Sequence, residues 1–457
     1  VFAVPGIAAL VCFVLARPQE FATVLQRAPL LYIFAAMAFG GLVVDLRLRR
    51  LQPIAAPTLP WVVGLMLWAT LCNAAVNGAA LVPRTIELTI LFVLYVTLAH
   101  GVQRLRVFQI VAATLMATCL FISAVCLHQG LSDQQCVGGE DESSGGEGTP
   151  DGRECESNEF CRTGGKPGME YHCEHVGMFG TYTVEGRVRY RGELRDPNEV
   201  AMVLCAGGLS LALGFALRRR GAARVVWTTL AIGLVVWTVF LTQSRGGLIA
   251  MLMVPGVYVV RRWGIAAVLP VLPMVALVLA LGGRGDEAAE QSTMLRYEAW
   301  RAGLDMFHGS PIFGVGTRAF TEYHFLTAHN TYVLTLAELG FVGMFLFLCV
   351  LVLSIKSLVV GVRALAAMPG SDGAQIWGMA LLASSCAMAF QIHTLSFAYH
   401  SMLWVMFGMV GAWCSAVRFH VPAFRPRLTL RDLVLIGAGQ ATYVFVLLPA
   451  FVRSKGF

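Results

Sequence analysis

Charge is scarce in this 457-residue chain. Asp, Glu, Lys and Arg make up 13% of it, against roughly 25% in soluble domains. The chain is 57% hydrophobic, with a mean hydropathy of +0.69. That shortage excludes an ordinary soluble globule. Repeated apolar runs of the roughly 20 residues that cross a bilayer point instead to an all-α polytopic membrane protein. The net charge of +7 is modest and reflects basic loops, so it makes no case for a nucleic-acid partner. Paired Cys-x-x-Cys spacing is missing, which weighs against zinc. No hydropathy repeat relates the two halves, and ionisable residues gather at span ends rather than mid-membrane. Both absences argue against a transporter or flippase, the reading from a different class that many spans alone would allow.

About 13 spans (12 or 13, with ends shifting by a few residues) lie near 1–16, 28–45, 58–76, 84–100, 107–128, 197–217, 225–241, 246–260, 264–282, 329–355, 375–392, 399–417 and 432–452. The first is short and contains Pro5; it reads as a trimmed span, with a signal-peptide remnant as the alternative. Every second loop is basic: Arg47, Arg49 and Arg50; His100, Arg104 and Arg106; Arg218, Arg219, Arg220 and Arg224; Arg261 and Arg262; Lys356 and Arg363; Arg418, Arg425, Arg427 and Arg431. The positive-inside bias makes these loops cytoplasmic and starts the chain inside. The organisation that follows is N-terminal spans (1–128), an outer loop (129–196), central spans (197–282), a second outer loop (283–328) and C-terminal spans (329–457). The expected location is a bacterial inner membrane, with both long loops in the periplasm.

The first outer loop opens on an acidic Gly/Ser/Glu-rich stretch, Gly138 to Gly152, with no pattern able to bury a core. It also holds Cys136, Cys155, Cys161 and Cys173. In an oxidising compartment four such cysteines read as two disulfides, in any of three pairings, with zinc on His172 or His175 as the rival.

Arginine recurs on the outer side, against the topological bias. Arg187, Arg189, Arg191 and Arg195 precede Asp196-Pro197-Asn198, a helix start in which Asp and Pro are ordinary capping residues. Gln243-Ser244-Arg245-Gly246-Gly247 is a short glycine turn that holds Arg245 near the membrane surface; a snorkelling arginine is the plain alternative. Arg296 and Trp300 share a face of an amphipathic helix. Arg84 tops the fourth span, where a salt bridge to Glu87 would explain it. Arginine grips phosphate with a planar fork and keeps its charge, so this set suits a diphosphate leaving group. No Asp-rich metal motif stands near it, which favours arginine over a divalent ion as the electrophilic partner. His329 and Asn330 sit where polar loop meets apolar run. An imidazole with an ordinary pKa near 6.5 suits general-base work there, while Asn330 is also a natural helix cap. Gly340 and Gly343 read as close-packing positions along one continuous helix, and Glu338 as a buried carboxylate in need of a partner.

His329-Asn330, nine residues, then Gly340-Phe341-Val342-Gly343 resembles the periplasmic motif of O-antigen ligases. Ser244-Arg245-Gly246-Gly247, Arg195-Asp196-Pro197-Asn198, Arg296 with Trp300, and Gly314-Val315-Gly316 before Phe320 are similar to the wider O-antigen ligase and polymerase family. The resemblance covers most of 180–350; residues 130–175 have no counterpart in it. It implies a many-spanning, metal-independent, cofactor-free inverting glycosyltransferase, with an undecaprenyl-diphosphate-linked glycan as donor and a glycan or lipid A-core as acceptor. His329 and Arg245 would be catalytic. Arg296, Arg191, Arg195, Arg84 and Asn330 would bind diphosphate or glycan. Within the family the divergent first loop and the Asp-Pro-Asn helix start favour a surface-polysaccharide polymerase; a ligase acting on lipid A-core and a protein O-glycosylation ligase are the alternatives.

Overall fold

A chain so short of charge has few ways to leave the membrane, and helices dominate it. The computed structural model describes residues 1–139, 148–165, 169–218, 221–282 and 286–457. The acidic run at 140–147, with Arg219 and Arg220 of the basic loop, lies outside the described residues. Among the described residues ten helices are long and apolar enough to cross a membrane, from Leu30–Arg47 to Leu430–Ser454, in an all-α polytopic fold. The other three expected spans are shorter, less apolar or broken. Ala3–Ala16 has 14 residues. Arg245–Trp263 carries Pro255 inside it. Residues 265–282 divide into a 3-10 segment, Ile265–Val271, and the helix Leu272–Gly282, with Pro270 in the first. Proline has no backbone N–H to donate, and at 270 it stands in a run that composition alone reads as one continuous helix, while Arg245–Trp263 stays a single 19-residue helix through Pro255.

Burial sorts the helices into layers. Of the most apolar stretch of Ser401–His420, 83% is buried, against 17% for Leu430–Ser454 and for Ala222–Leu241. The inner helices pack around Trp377, Trp404 and Trp413. The rim helices turn residues such as Trp227 and Leu447 outward, as helices apolar all round do when lipid is their solvent. The two ends of the bundle differ chemically. At one end Asp45 Oδ2 accepts from Ala3 N at 3.0 Å, and Lys356 meets Asp432 at 2.6 Å. The other end gathers the loop at 129–196, the 244–247 turn and His329.

The long loops hold more structure than their composition suggests. In the first, the edges of the Gly/Ser/Glu-rich stretch are strands. Gln134–Gly138 pairs antiparallel with Thr149–Glu154 on one side and Tyr171–His175 on the other. Cys136 bonds to Cys161 and Cys155 to Cys173, and these cysteines with Tyr171 form a small separate core. His175 turns Nδ1 to Ser132 O at 2.5 Å. Glu174, 5% exposed, ties this unit to the chain that follows: its carboxylate accepts from Thr183 Oγ1 and from the amides of Glu185 and Gly186. The second loop is mostly one helix, Asp286–Gly309.

The helix Thr331–Leu365 is not continuous. Gly340 has φ 67° and ψ −170°, a backbone region essentially confined to glycine. The break strands carbonyls of the preceding turn, and the loop 311–316 takes them up. Val315 N donates to Ala337 O and Gly316 N to Glu338 O, each at 2.9 Å, while Phe341 N donates to Pro311 O at 2.9 Å. Trp68 Nε1 reaches Leu339 O at 2.9 Å. A Cβ on Gly340 would lie 2.1 Å from Ile312 O, and one on Gly314 (φ 64°) 2.4 Å from the carbonyl carbon of Glu338. Gly340 and Gly314 are therefore the two halves of one seam, and Gly340 is not the packing position that an unbroken helix implies. Glu338 joins the seam by accepting from Phe320 N at 3.1 Å. Gly340→Ala should lower the unfolding midpoint in detergent, with a cost of about 1–3 kcal/mol from backbone strain before the overlap is counted. Gly40→Ala, in a helix with nothing within 4 Å of the added carbon, should leave the midpoint unchanged or raise it. Equal midpoints for the two variants would contradict the seam.

Candidate functional site

Three helices begin at one place. Asp196 caps the span Pro197–Arg218 through Asn198 N at 2.8 Å. Ser244 caps Arg245–Trp263 by accepting from Gly247 N at 3.0 Å. Asn330 caps Thr331–Leu365 by accepting from Tyr332 N at 3.0 Å and Val333 N at 3.2 Å. The caps interlock. Ser244 Oγ donates to Asn198 Oδ1 at 2.6 Å, and Asn198 Nδ2 donates to Asp196 Oδ1 at 2.7 Å. Gln391 Nε2 donates to Asn198 O at 3.0 Å. Thr331 Oγ1 donates to Leu395 O and accepts from Phe397 N, so the turn at 391–397 joins the first helix start to the third.

Each helix start carries a positive partial charge and amides with no partner inside the helix. Three of them together concentrate positive potential at one spot, and arginine adds to it. Arg187, 8% exposed, sends Nε to Thr242 O at 2.9 Å and Nη2 to Asn198 Oδ1 at 3.4 Å. Burial pulls its pKa down; the Asp196 carboxylate opposes that and the Arg296 charge adds to it. His329 lies against the same charges. Its backbone is left-handed (φ 42°), its side chain is 26% exposed, and its Nδ1 is 4.0 Å from Asp196 Oδ2. Burial lowers the His329 pKa from its ordinary value, Asp196 works the other way, and Arg296 adds to the lowering. The ring is therefore neutral at pH 7, with a lone pair to offer.

The residues picked out from sequence divide here. His329, Arg296 and the Arg245 helix start belong to the junction, and Arg195, exposed, directly precedes the capping Asp196. Arg191 is committed elsewhere, donating to Glu20 O and Gly180 O at 2.9 Å each. Arg84, 9% exposed, pairs with Glu322, while Glu87 pairs with Arg318 at 2.6 Å; the expected Arg84–Glu87 bridge is replaced by these two crossed pairs. Asn330 is 1% exposed, and its side-chain oxygen is taken up by the cap. Trp300 donates Nε1 to Ala328 O at 2.9 Å, which braces the residue before His329. Arg187 lacked a sequence signal of its own, as one arginine among four, while Asp196 and Asn198 stood in the Arg195–Asn198 motif but read there as an ordinary helix start, with no role beside His329.

If Asn330 acts mainly as a cap, Asn330→Ala should cost about 0.5–2 kcal/mol of stability, whereas Asn330→Asp, which keeps the accepting oxygen, should keep most of it. Thermal unfolding of both variants checks this. Equal stability of the two, with activity lost in both, would return Asn330 to substrate binding.

The comparisons with known proteins bear on the same stretch. No curated protein matches the chain. Residues 199–348 match the family model described as O-antigen ligase. The match takes in the Ser244–Gly247 turn, Arg296, the 311–316 loop, His329 and the Gly340 seam, and leaves the cysteine-bearing unit outside it. It supports glycan transfer in surface-polysaccharide or lipopolysaccharide biosynthesis. Residues 199–348 are thus similar to O-antigen ligases, in agreement with the O-antigen ligase and polymerase family that the motifs resemble.

Proposed function

We propose that this membrane protein transfers glycan from an undecaprenyl-diphosphate-linked donor to an acceptor hydroxyl, at the end of the bundle that carries His329. The observation that carries the reading is the meeting of three helix starts with Arg187, Arg245 and Arg296 beside a neutral imidazole. The diphosphate lies over the helix starts, held by arginine forks. The acceptor oxygen attacks the anomeric carbon from the opposite face as the bond from that carbon to the diphosphate oxygen breaks. The electron pair leaves on the diphosphate, where fixed positive charge stabilises it, and the acceptor proton passes to His329. One displacement inverts the anomeric centre. Arginine and helix ends supply the electrophilic stabilisation, so no metal ion enters the scheme.

A lipid-borne donor also needs somewhere to lay its chain. An apolar cleft of about 490 Å³ runs between the Thr331–Leu365 and Leu430–Thr442 helices, from Tyr332 and Tyr443 near the site to Val352 and Asp432. It takes part of the polyprenyl tail. Within this reading the polymerase role is preferred to lipid A-core ligation, because the first outer loop lies outside the matched region.

Arg245→Lys should lower turnover strongly although the charge remains, because the fork is lost. Arg245→Ala should lower it further, by about 10- to 150-fold for a charged hydrogen bond of about 1.5–3 kcal/mol. His329→Ala should remove about 10²–10⁴-fold with the fold intact. EDTA should change nothing. The assay is transfer from a defined undecaprenyl-diphosphate oligosaccharide by protein in nanodiscs, with and without lipid A-core. Near-normal turnover by His329→Ala would reduce His329 to a loop residue, and loss of activity in EDTA would point to a metal-dependent site.

A further inference from the structure

Asp196 divides its carboxylate between two tasks. Oδ1 is saturated within the helix start: it accepts from Asn198 N at 2.8 Å and from Asn198 Nδ2 at 2.7 Å. Oδ2 takes no part in the cap and faces His329 Nδ1 at 4.0 Å. A cap needs one oxygen, and asparagine would serve as well as aspartate. The cap makes no use of the second oxygen, and the negative charge, which also suits the positive helix start, is turned on that oxygen toward His329.

We propose that Asp196 is the positioning residue of the transfer reaction: its Oδ2 holds the His329 ring by Nδ1–H, so that Nε2 carries the lone pair that takes the acceptor proton. The proposal rests on the reading of His329 as the base. The geometry constrains the ring from both sides. The left-handed backbone at His329 and the Trp300 bond to Ala328 O fix where the imidazole starts, and the Asn198 bonds fix where the carboxylate points. The 4.0 Å separation is one that closes to a hydrogen bond when an acceptor fills the site, since catalytic hydrogen bonds commonly tighten only in the loaded complex. As His329 takes the proton it becomes a cation among Arg187 and Arg296. Asp196 is the anion that offsets that charge in the transition state. The proton leaves the acceptor oxygen, rests on Nε2 and goes to solvent after the product departs; Asp196 stays ionised throughout.

Asp196→Asn tests this cleanly, because asparagine keeps the cap and removes the anion. Two measurements are needed. The first uses no substrate: the full chain in nanodiscs, labelled with ¹⁵N-histidine and with His329 assigned by its loss in His329→Gln, is titrated by NMR. The charged groups that act on His329 are Asp196 and Arg296, with Arg187 beside Asp196. Only Asp196 raises the midpoint, so Asp196→Asn should lower it, by about one unit for an opposite charge at this range. The second is transfer kinetics. kcat should fall at least about tenfold, short of the roughly 10²–10⁴-fold of losing the base itself, with KM for the lipid donor little changed and the unfolding midpoint retained. Asp196→Glu, which restores the charge, should recover part of kcat. An unmoved His329 midpoint, or full activity in Asp196→Asn, would overturn the proposal. If the midpoint moves while even the unsubstituted chain transfers no glycan, the Asp196–His329 pair stands and the reading of the activity falls.

Discussion

A helix exposes unpaired amides at one end only, and this fold spends three such ends on a single spot. The architecture around the site can be understood as the means of bringing them there. The span from Pro197 starts under the chain that carries Arg187; the helix from Arg245 starts one hydrogen bond away, through Ser244 and Asn198; the helix from Thr331 completes the ring through the turn at 391–397. Positive potential assembled from backbone does not depend on flexible side chains, and it is already in place when an anionic ligand arrives.

The third helix breaks at Gly340, and the 311–316 loop replaces the lost intrahelical bonds with its own amides. The seam at Gly314 and Gly340 therefore does two things. It satisfies backbone groups that could not be left bare at membrane depth, and it fixes the short segment 331–339 whose start carries Asn330 and His329. The glycine and Asn330 positions of this region are thus structural: glycines make the seam, and Asn330 makes the cap.

Much of this was legible from residues alone. Most of the spans follow from continuous apolar runs, and the placing of the Ser244–Gly247 turn and of His329 at helix starts follows from polar residues standing where apolar runs begin. Other features were hidden for physical reasons. A glycine in an apolar run reads as a packing position, and nothing in its neighbours announces a positive φ. Arg84 finds its partner 238 residues away at Glu322, so local spacing pointed to Glu87 instead. Asp196 is a sound cap, and its second oxygen becomes meaningful only once His329 is seen opposite. The loop at 129–196 holds little apolar sequence, yet cross-links and one buried carboxylate, Glu174, give it a fold that composition could not foretell.

The central claim is that one anion site is built where these helix starts meet. The most direct test is a structure of the chain in nanodiscs with a bound undecaprenyl-diphosphate glycan. The account predicts the diphosphate within hydrogen-bond reach of the Arg245 helix start and of Arg296, with the anomeric carbon facing His329. A diphosphate bound at the opposite end of the bundle, beside Lys356 and Asp432, or one coordinated through a metal ion, would contradict it.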